Sequence, residues 1–289
     1  MDSEDIDDRS PHPYPTRSAI KGACCGGADD GTDHLSYVYA LGRIEPRFPY
    51  PSVEKELAQA IGRAATAGLT DPQALHAVLS ERQNRYLVRQ LCWVLTIEGL
   101  ETYLLKPRDP TDYELLVAAI RPAPSPMDID TVIGVRGPIA PPALCNGLTV
   151  PIVFFDQIYS FDREALIDSI PRPDQTTVEQ FNGTAAQVLD AIMQLADNAG
   201  ATDEHRALNY LALRYSAIYH KVMEQFQKDF TLKEVETQPS RLSGTRKIVD
   251  AIFTFNHRHT DFSEKFFVRV DVTEEFPFLA TKLAPYYHR

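Results

Sequence analysis

The chain has 289 residues, which is enough for one large domain or two of ordinary size. Its apolar fraction of 44% and charged fraction of 24% are typical of a globular, soluble protein. The formal net charge of −11 argues against non-specific binding of nucleic acid and against docking on an anionic membrane.

Residues 1–34 are rich in Asp, Pro, Gly and Ser, a composition that predicts a disordered acidic tail. The tail lacks the apolar stretch of a secretory signal. No segment of the chain reaches the roughly 20 apolar residues that span a bilayer. We therefore expect a cytoplasmic protein that is not inserted in a membrane and whose four cysteines are reduced thiols.

Residues 35–170 are predicted to form a mixed α/β subdomain that begins with a strand over 35–42 and an extended loop over 43–49. Helices capped by Ser52 and by Thr70 or Asp71 should follow, because apolar residues recur there at helical spacing. These helices are expected to end near 67 and 81. The remaining predicted elements are a helix over 110–120, strands over 129–135 and 148–155, and a short helix that begins at Phe161 and ends before Pro171.

The segment 85–109 is expected to form the core of this subdomain. Its first apolar run extends from Leu87 to Ile97 and contains the only tryptophan, Trp93. Glu98-Gly99 separates this run from a second, shorter one. Two apolar runs around a glycine-containing break predict a buried strand pair.

Residues 171–289 are predicted to form a second subdomain, because two prolines fall within three residues at its start. Two long amphipathic helices, over 176–198 and 202–229, should form an antiparallel hairpin. Apolar and polar residues then alternate, which predicts an antiparallel meander with one exposed face. Its strands are expected over 233–237, 246–255 and 265–272. The predicted fold class is therefore α+β.

The four cysteines form the first candidate site. Zinc takes about four nitrogen or sulfur ligands, and Cys24 and Cys25 in the tail could complete a site with Cys92 and Cys145. Adjacent cysteines are less typical of zinc sites than the C-x-x-C spacing. The alternative is that Cys92 is a small buried thiol and the others are ordinary exposed thiols.

Two polar clusters of the second half are candidates for binding or catalysis. Asp203 and His205 lie at a predicted helix start, where a histidine flanked by acids can act as a general base. The alternative is a first turn whose acids interact favourably with the helix dipole. Arg246 lies in a small basic loop that could hold an anion, although a simple hairpin turn explains the same residues.

A third polar cluster follows the strand predicted to end at Phe155. Gln157, Tyr159 and Asp162 lie after this strand, and α/β folds commonly bind ligands at strand ends. The alternative is that the aromatic side chains there only anchor the core.

Motifs of the common enzyme classes are absent from the sequence. There is no G-x-S-x-G, no H-E-x-x-H, no Walker A loop and no G-x-G-x-x-G. This absence argues against a common hydrolase, metalloprotease, nucleotide phosphohydrolase or dehydrogenase, and whether the chain is an enzyme stays open.

Several long runs resemble the C-terminal domain of the cyanobactin maturation proteins PatA and PatG. The similarity extends from about Tyr37 to Arg289. The runs that carry it are 39–49, 89–103, 155–162, 197–210 and the Tyr286-Tyr287 pair. In that family the domain follows a subtilisin-like protease and is a domain of unknown function, so the resemblance implies no catalytic residues. A chain of this length leaves no room for the protease domain beside the shared region, and we therefore expect the domain to stand alone.

The resemblance implies a role in the biosynthesis of ribosomally made, post-translationally modified peptides. The first hypothesis is an accessory, non-catalytic protein that binds a precursor peptide or a biosynthetic enzyme, with an edge of the meander accepting an extended peptide. The second is a peptide-modifying enzyme with zinc held by the cysteines. The third is a structural module that forms a homodimer.

Overall fold

The computed structural model describes residues 36–64, 68–122, 125, 127–170, 177–193 and 198–287. Its first half is a closed five-stranded barrel with the strand order β1-β2-β3-β5-β4. Neighbouring strands are antiparallel except for the parallel pair β3 and β5. The strands are β1 (Tyr37–Arg47), β2 (Cys92–Ile97), β3 (Leu100–Pro107), β4 (Asp128–Ile139) and β5 (Pro151–Asp162).

Four helices pack with the barrel interior. They are α1 (Pro51–Arg63), α2 (Asp71–Ser80), α3 (Arg85–Gln90) and α4 (Tyr113–Ala119). All five strands contribute buried side chains to this core, and Trp93 lies within it, donating its indole N–H to the carbonyl of Val88 over 2.9 Å. This bond satisfies the one polar atom of a tryptophan that is otherwise surrounded by apolar groups.

The predicted strand pair is correct for β2 and β3 and wrong for the start of the segment. Glu98 and Gly99 form the turn, with φ of 50° and 80°, the left-handed geometry of a tight hairpin. Residues 85–90 instead form α3, in which Leu87 and Val88 are buried. A continuous apolar run fits a buried strand and a buried helix equally well, so periodicity alone could not separate the two.

The described residues of the second half form four helices and a four-stranded antiparallel meander in the order β6-β7-β8-β9. The helices are α5 (Arg163–Ser169), α6 (Val178–Met193), α7 (Asp203–Arg214) and α8 (Ala217–Gln227), and the strands are β6 (Phe230–Pro239), β7 (Ile248–His257), β8 (Ser263–Asp271) and β9 (Phe278–Pro285). The α+β class and the meander are therefore confirmed. No helix in the described part of the chain is both long and apolar enough to cross a membrane.

Several boundaries differ from the prediction. Strand β1 continues to Arg47 through the predicted loop, because residues 43–47 pair with β2. Tyr50, not Ser52, precedes the first helix, whereas Thr70 caps α2 as predicted and donates its backbone N–H to the side-chain oxygen of Gln73. The strand β9 was not predicted.

The long helix predicted over 202–229 is broken between α7 and α8. Tyr215 leaves the helical conformation, and its hydroxyl accepts a hydrogen bond from the backbone N–H of Leu283 over 3.0 Å. The Tyr219 hydroxyl donates to the carbonyl of Ala212 over 2.6 Å, across the break. These contacts hold the bend, and no helix-breaking residue marks it in the sequence.

The outer face of the barrel and the second half share one apolar core. Tyr39 and Leu41 of β1 and Ile129 and Ile133 of β4 pack with α5 to α8 and with the inner face of the meander. The division predicted at 171 falls on residues outside the described ranges, as does the predicted tail, and both stay predictions.

Gly200 lies where the second half meets β1, and this position should not tolerate a side chain. Its φ is +68°, and a Cβ there would approach the Tyr39 carbonyl oxygen to 2.3 Å. We expect Gly200→Ala to lower the free energy of unfolding by about 2 kcal/mol or more, measured by urea denaturation.

The matched control is Gly183→Ala in α6. Nothing lies within 4 Å of the position a Cβ would take, and the residue is helical. That change should raise stability by about 0.5–1 kcal/mol. Equal stability of Gly200→Ala and the native protein would contradict the close approach to β1.

Candidate functional site

The three candidate residues of β5 have separate local roles. Asp162 caps α5, since its carboxylate accepts the backbone N–H of Ala165 over 3.0 Å. The Tyr159 ring faces the guanidinium group of Arg214, whose carbon lies 4.7 Å from the ring centre. The Gln157 amide bonds only to the adjacent carbonyl of Ile158 among the described residues. These residues lie along one strand and do not converge.

Asp203, His205 and Arg246 lie where α7 meets the meander. The backbone N–H of His205 bonds to the capping Thr202 hydroxyl over 3.1 Å, and Asp203 is 3.5 Å from the Lys247 ammonium group. Arg246 forms an ion pair with the buried Asp271. The structure therefore brings Asp203 close to the loop that carries Arg246, whereas no hydrogen bond or ion pair joins either residue to the β5 group within the described ranges.

Arg206, which the sequence did not single out, connects α7 to the loop between β8 and β9. Its side chain is only 2% exposed. The guanidinium group donates to the Val272 carbonyl over 2.8 Å and to the carbonyls of Glu274 and Glu275, and it lies 3.4 Å from the Asp203 carboxylate. A buried charge with this many partners is strongly fixed in position.

The carboxyl groups of Asp156 and Glu275 meet near Arg206. Arg108 donates to Asp156 over 2.6 Å and lies 3.4 Å from Glu275. Burial, and then a hydrogen bond to Asp156, raise the pKa of Glu275 to about 7. In its protonated form Glu275 can donate a hydrogen bond to the Asp156 carboxylate. The groups come from β5, from the residue after β3 and from the β8–β9 loop, and their main effect is to hold the barrel against the meander.

Asp130 is a second buried acid that the sequence did not indicate. It accepts the backbone N–H of Ile44 over 2.7 Å and the Ser160 hydroxyl over 2.5 Å. Burial raises its pKa to about 6. Because its partners belong to β1 and β5, Asp130 joins three strands of the barrel wall.

Cys92 and Cys145 form a disulfide, with their Cα atoms 5.9 Å apart. The expectation of reduced thiols is therefore wrong for these two, because the segment after β4 folds over the outer face of β2 and β3 and brings Cys145 to Cys92. Both sulfur atoms are used in this bond, and Cys24 and Cys25 lie outside the described residues. The zinc site stays a prediction. Within the described ranges no group of three or more His, Cys, Asp or Glu side chains is arranged to hold a metal.

A groove runs beside the edge strand β6 and was not anticipated. It lies between β6 and the helices α6 and α8 and encloses about 570 Å³. Its apolar surface comes from Val188 and Ala191 of α6, Val222 and Phe226 of α8, and Val235 of β6. The residues that α6 contributes to the lining include the small or short side chains of Thr184 and Ala191.

The backbone of β6 forms one wall of this groove, which we call the β6 groove. In the sheet order β6 pairs with β7 on one side only, so its other side carries no strand among the described residues. A register shift between Leu232 and Glu234 bends the strand. Such an edge offers free N–H and C=O groups to an added strand.

Charged groups border the β6 groove on both sides. Lys233 and Glu234 lie on β6, and the Arg258 guanidinium carbon lies 4.4 Å from the Phe226 ring centre. The groove therefore combines a free backbone edge, an apolar floor and charges of both signs. An edge strand next to a helix is a recurring arrangement for binding extended peptides.

Comparison with known proteins supports the family resemblance. Residues 175–286 match the family model described as PatG C-terminal. A solved structure titled "PatG Domain of Unknown Function" is 19% identical, with a TM-score of 0.69, and the match covers 87% of this chain and 99% of that one. No curated protein matches. The resemblance to the C-terminal domain of PatG is thereby confirmed, and at this identity the solved structure shows a shared fold.

The raised pKa of Glu275 predicts a pH dependence of stability. The folded state keeps a proton that the unfolded chain releases near its ordinary pKa of 4.5, so stability should fall as the pH rises from there to about 7. Glu275→Gln places a neutral amide that can still donate to Asp156. Because this amide does not titrate, the fall in stability caused by Glu275 should disappear. The loss of stability is at most about 3.5 kcal/mol, because the pKa rises from 4.5 to about 7 and each pKa unit corresponds to about 1.4 kcal/mol.

Urea denaturation followed by Trp93 fluorescence, at several values between about pH 5 and about pH 8, measures this effect. Glu274→Gln is the control, because that neighbouring side chain is exposed. It should leave the pH dependence unchanged. An unchanged slope in Glu275→Gln would show that Glu275 is ionised throughout the range.

Proposed function

We propose that this protein is a non-catalytic peptide-binding component of modified-peptide biosynthesis, and that the β6 groove binds the peptide. The observation that carries the proposal is a free edge strand beside an apolar groove between two helices. The family resemblance supplies the context, a pathway of the cyanobactin type, whose precursor peptides are flexible chains able to bind in extended form. A biosynthetic enzyme that presents an extended segment would bind in the same way.

A bound peptide would pair with β6 as a fifth strand of the meander. Its backbone would form hydrogen bonds to β6, and every second side chain would point into the groove towards Val188, Val222 and Val235. The groove wall contributed by Gln187 and Ala191 is exposed and offers room for these side chains. We therefore expect a preference for apolar residues at alternate positions of the peptide.

The polar network around Arg206 supports a binding role rather than catalysis. Asp156, Glu275 and Arg108 interact with one another, and Arg206 donates to backbone carbonyls. Groups that are used in this way to hold elements together are not free to act on a substrate. The peptide-modifying enzyme remains an alternative, and a zinc site in it would have to rest on Cys24 and Cys25, because Cys92 and Cys145 are joined in the disulfide.

The homodimer is favoured by one separate feature. The other edge strand, β9, is bordered by the exposed aromatic side chains Phe276 and Phe278. Exposed apolar groups beside a free edge are typical of contacts between copies. A dimer formed through β9 would leave the β6 groove open, so the two roles are compatible.

The β6 groove predicts that Ala191→Lys weakens peptide binding. A lysine there would fill the groove and place a charge on its apolar wall, and we expect at least about a tenfold rise in Kd. The measurement uses fluorescent ten-residue peptides with apolar residues at alternate positions, by fluorescence anisotropy. Because Ala191 is exposed, the fold should be retained, which circular dichroism checks.

Ala280→Lys is the matched control, since Ala280 is an exposed alanine on the opposite edge strand. It adds the same charge and should leave the Kd unchanged. Hydrogen exchange gives a second measure, because a bound peptide should protect the backbone amides of β6 and leave those of β9 unaffected. Loss of binding in Ala280→Lys but not in Ala191→Lys would place the peptide at the wrong edge for this proposal.

A further inference from the structure

A second cleft lies among α2, α3 and α4, on elements that do not line the β6 groove. It encloses about 650 Å³, which is within the usual range for small-molecule sites. Its floor is apolar and consists of Leu79, Val88 and Val117. We call it the three-helix cleft.

The rim of the three-helix cleft is basic and polar. Arg85 and Arg89 of α3 lie on it, together with His76, Thr111 and Tyr113. These side chains come from α2, α3, α4 and the segment just before α4. A hydroxyl, a phenol and an imidazole offer hydrogen bonds in addition to the two cations.

The two arginines differ in their partners. Arg85 forms an ion pair with Glu114 of α4, so its charge is largely neutralised and Glu114 does not act as a free acid on the rim. Arg89 is exposed, and within the described ranges no hydrogen bond or ion pair engages its guanidinium group. Burial lowers the pKa of His76, so this side chain is neutral near pH 7. One unpaired cation therefore remains above the apolar floor.

We propose that the three-helix cleft binds a carboxylate attached to an apolar chain. The guanidinium group of Arg89 would bind the carboxylate through two parallel hydrogen bonds, and the apolar chain would lie on Leu79, Val88 and Val117. A single unpaired cation suits a monoanion, whereas a phosphate dianion would keep one negative charge without a partner, because Arg85 is already paired with Glu114. The carboxylate belongs either to a free apolar acid or to the carboxyl terminus of a peptide.

Two ligand pairs test this inference: 4-phenylbutanoate with its amide, and N-acetyl-Leu-Leu with its carboxamide. Each is titrated into the full-length protein and followed by two-dimensional NMR of the backbone amides. For each acid that binds, we expect a Kd at least about tenfold lower than that of its amide, because the amide loses a charged hydrogen bond. The shifted signals should belong to α2, α3 and α4.

Arg89→Gln should raise the Kd of the acid by about tenfold or more and leave that of the amide unchanged. Arg82→Gln is the matched control, because Arg82 is an exposed arginine just before α3 that does not line the cleft. Arg82→Gln should leave the Kd of the acid and that of the amide unchanged. Both changes replace exposed side chains, so both variants should fold.

The two ligand pairs also distinguish the source of the carboxylate. Binding of 4-phenylbutanoate alone indicates a free acid, and binding of N-acetyl-Leu-Leu alone indicates a peptide terminus. Equal affinity for acid and amide, an equal effect of Arg82→Gln, or no binding at about 10 mM would overturn the inference. None of these results depends on the β6 groove, which lies on other elements.

Discussion

The arrangement of the two halves depends on a buried hydrogen-bond cluster at the backbone of β1. The Tyr39 carbonyl accepts the Asn209 side-chain amide over 2.8 Å, and the Tyr39 N–H donates to the carbonyl of Gly200 over 2.9 Å. Asn209 is completely buried and also accepts from Asn198 over 2.8 Å. Buried amides are costly unless they are satisfied, so few other positions of α7 against the barrel would keep all these bonds.

The position of α7 determines where the meander lies. With Asn209 held at β1, Arg206 on the same helix reaches the carbonyls after β8, and the Asp156–Glu275 pair joins the loop to the barrel from the other side. The bend at Tyr215 then turns α8 back across the sheet beside α6. The groove lies between β6 and these two helices, so it follows from the way the helices are docked.

The sequence predicted those features that depend on local pattern. The meander, the helix α2 with its cap and the hairpin at Glu98-Gly99 follow from alternation, capping chemistry and turn residues. The bend at Tyr215, the start of α3 and the roles of Asn209 and Arg206 could not be predicted, because each is determined by residues far away along the chain. Likewise, Asp203 and Arg246 carried a visible polar signal, whereas the β6 groove consists of ordinary apolar residues and a free backbone, which leave no signature in a sequence.

A free edge strand is a hazard as well as a binding surface, and β6 has features that limit which partner it accepts. Its exposed side chains include Glu234, Glu236 and Lys233, and the register shift at Leu232 disturbs regular pairing. Charges and bulges of this kind oppose the pairing of identical strands. Two copies of β6 would bring together four glutamates and only two lysines, whereas a peptide without acidic residues would not meet this excess of negative charge. The helices α6 and α8 add a second restriction, since an incoming strand must fit its side chains into the groove between them. The same edge can therefore reject a second copy of the chain and still bind a flexible peptide.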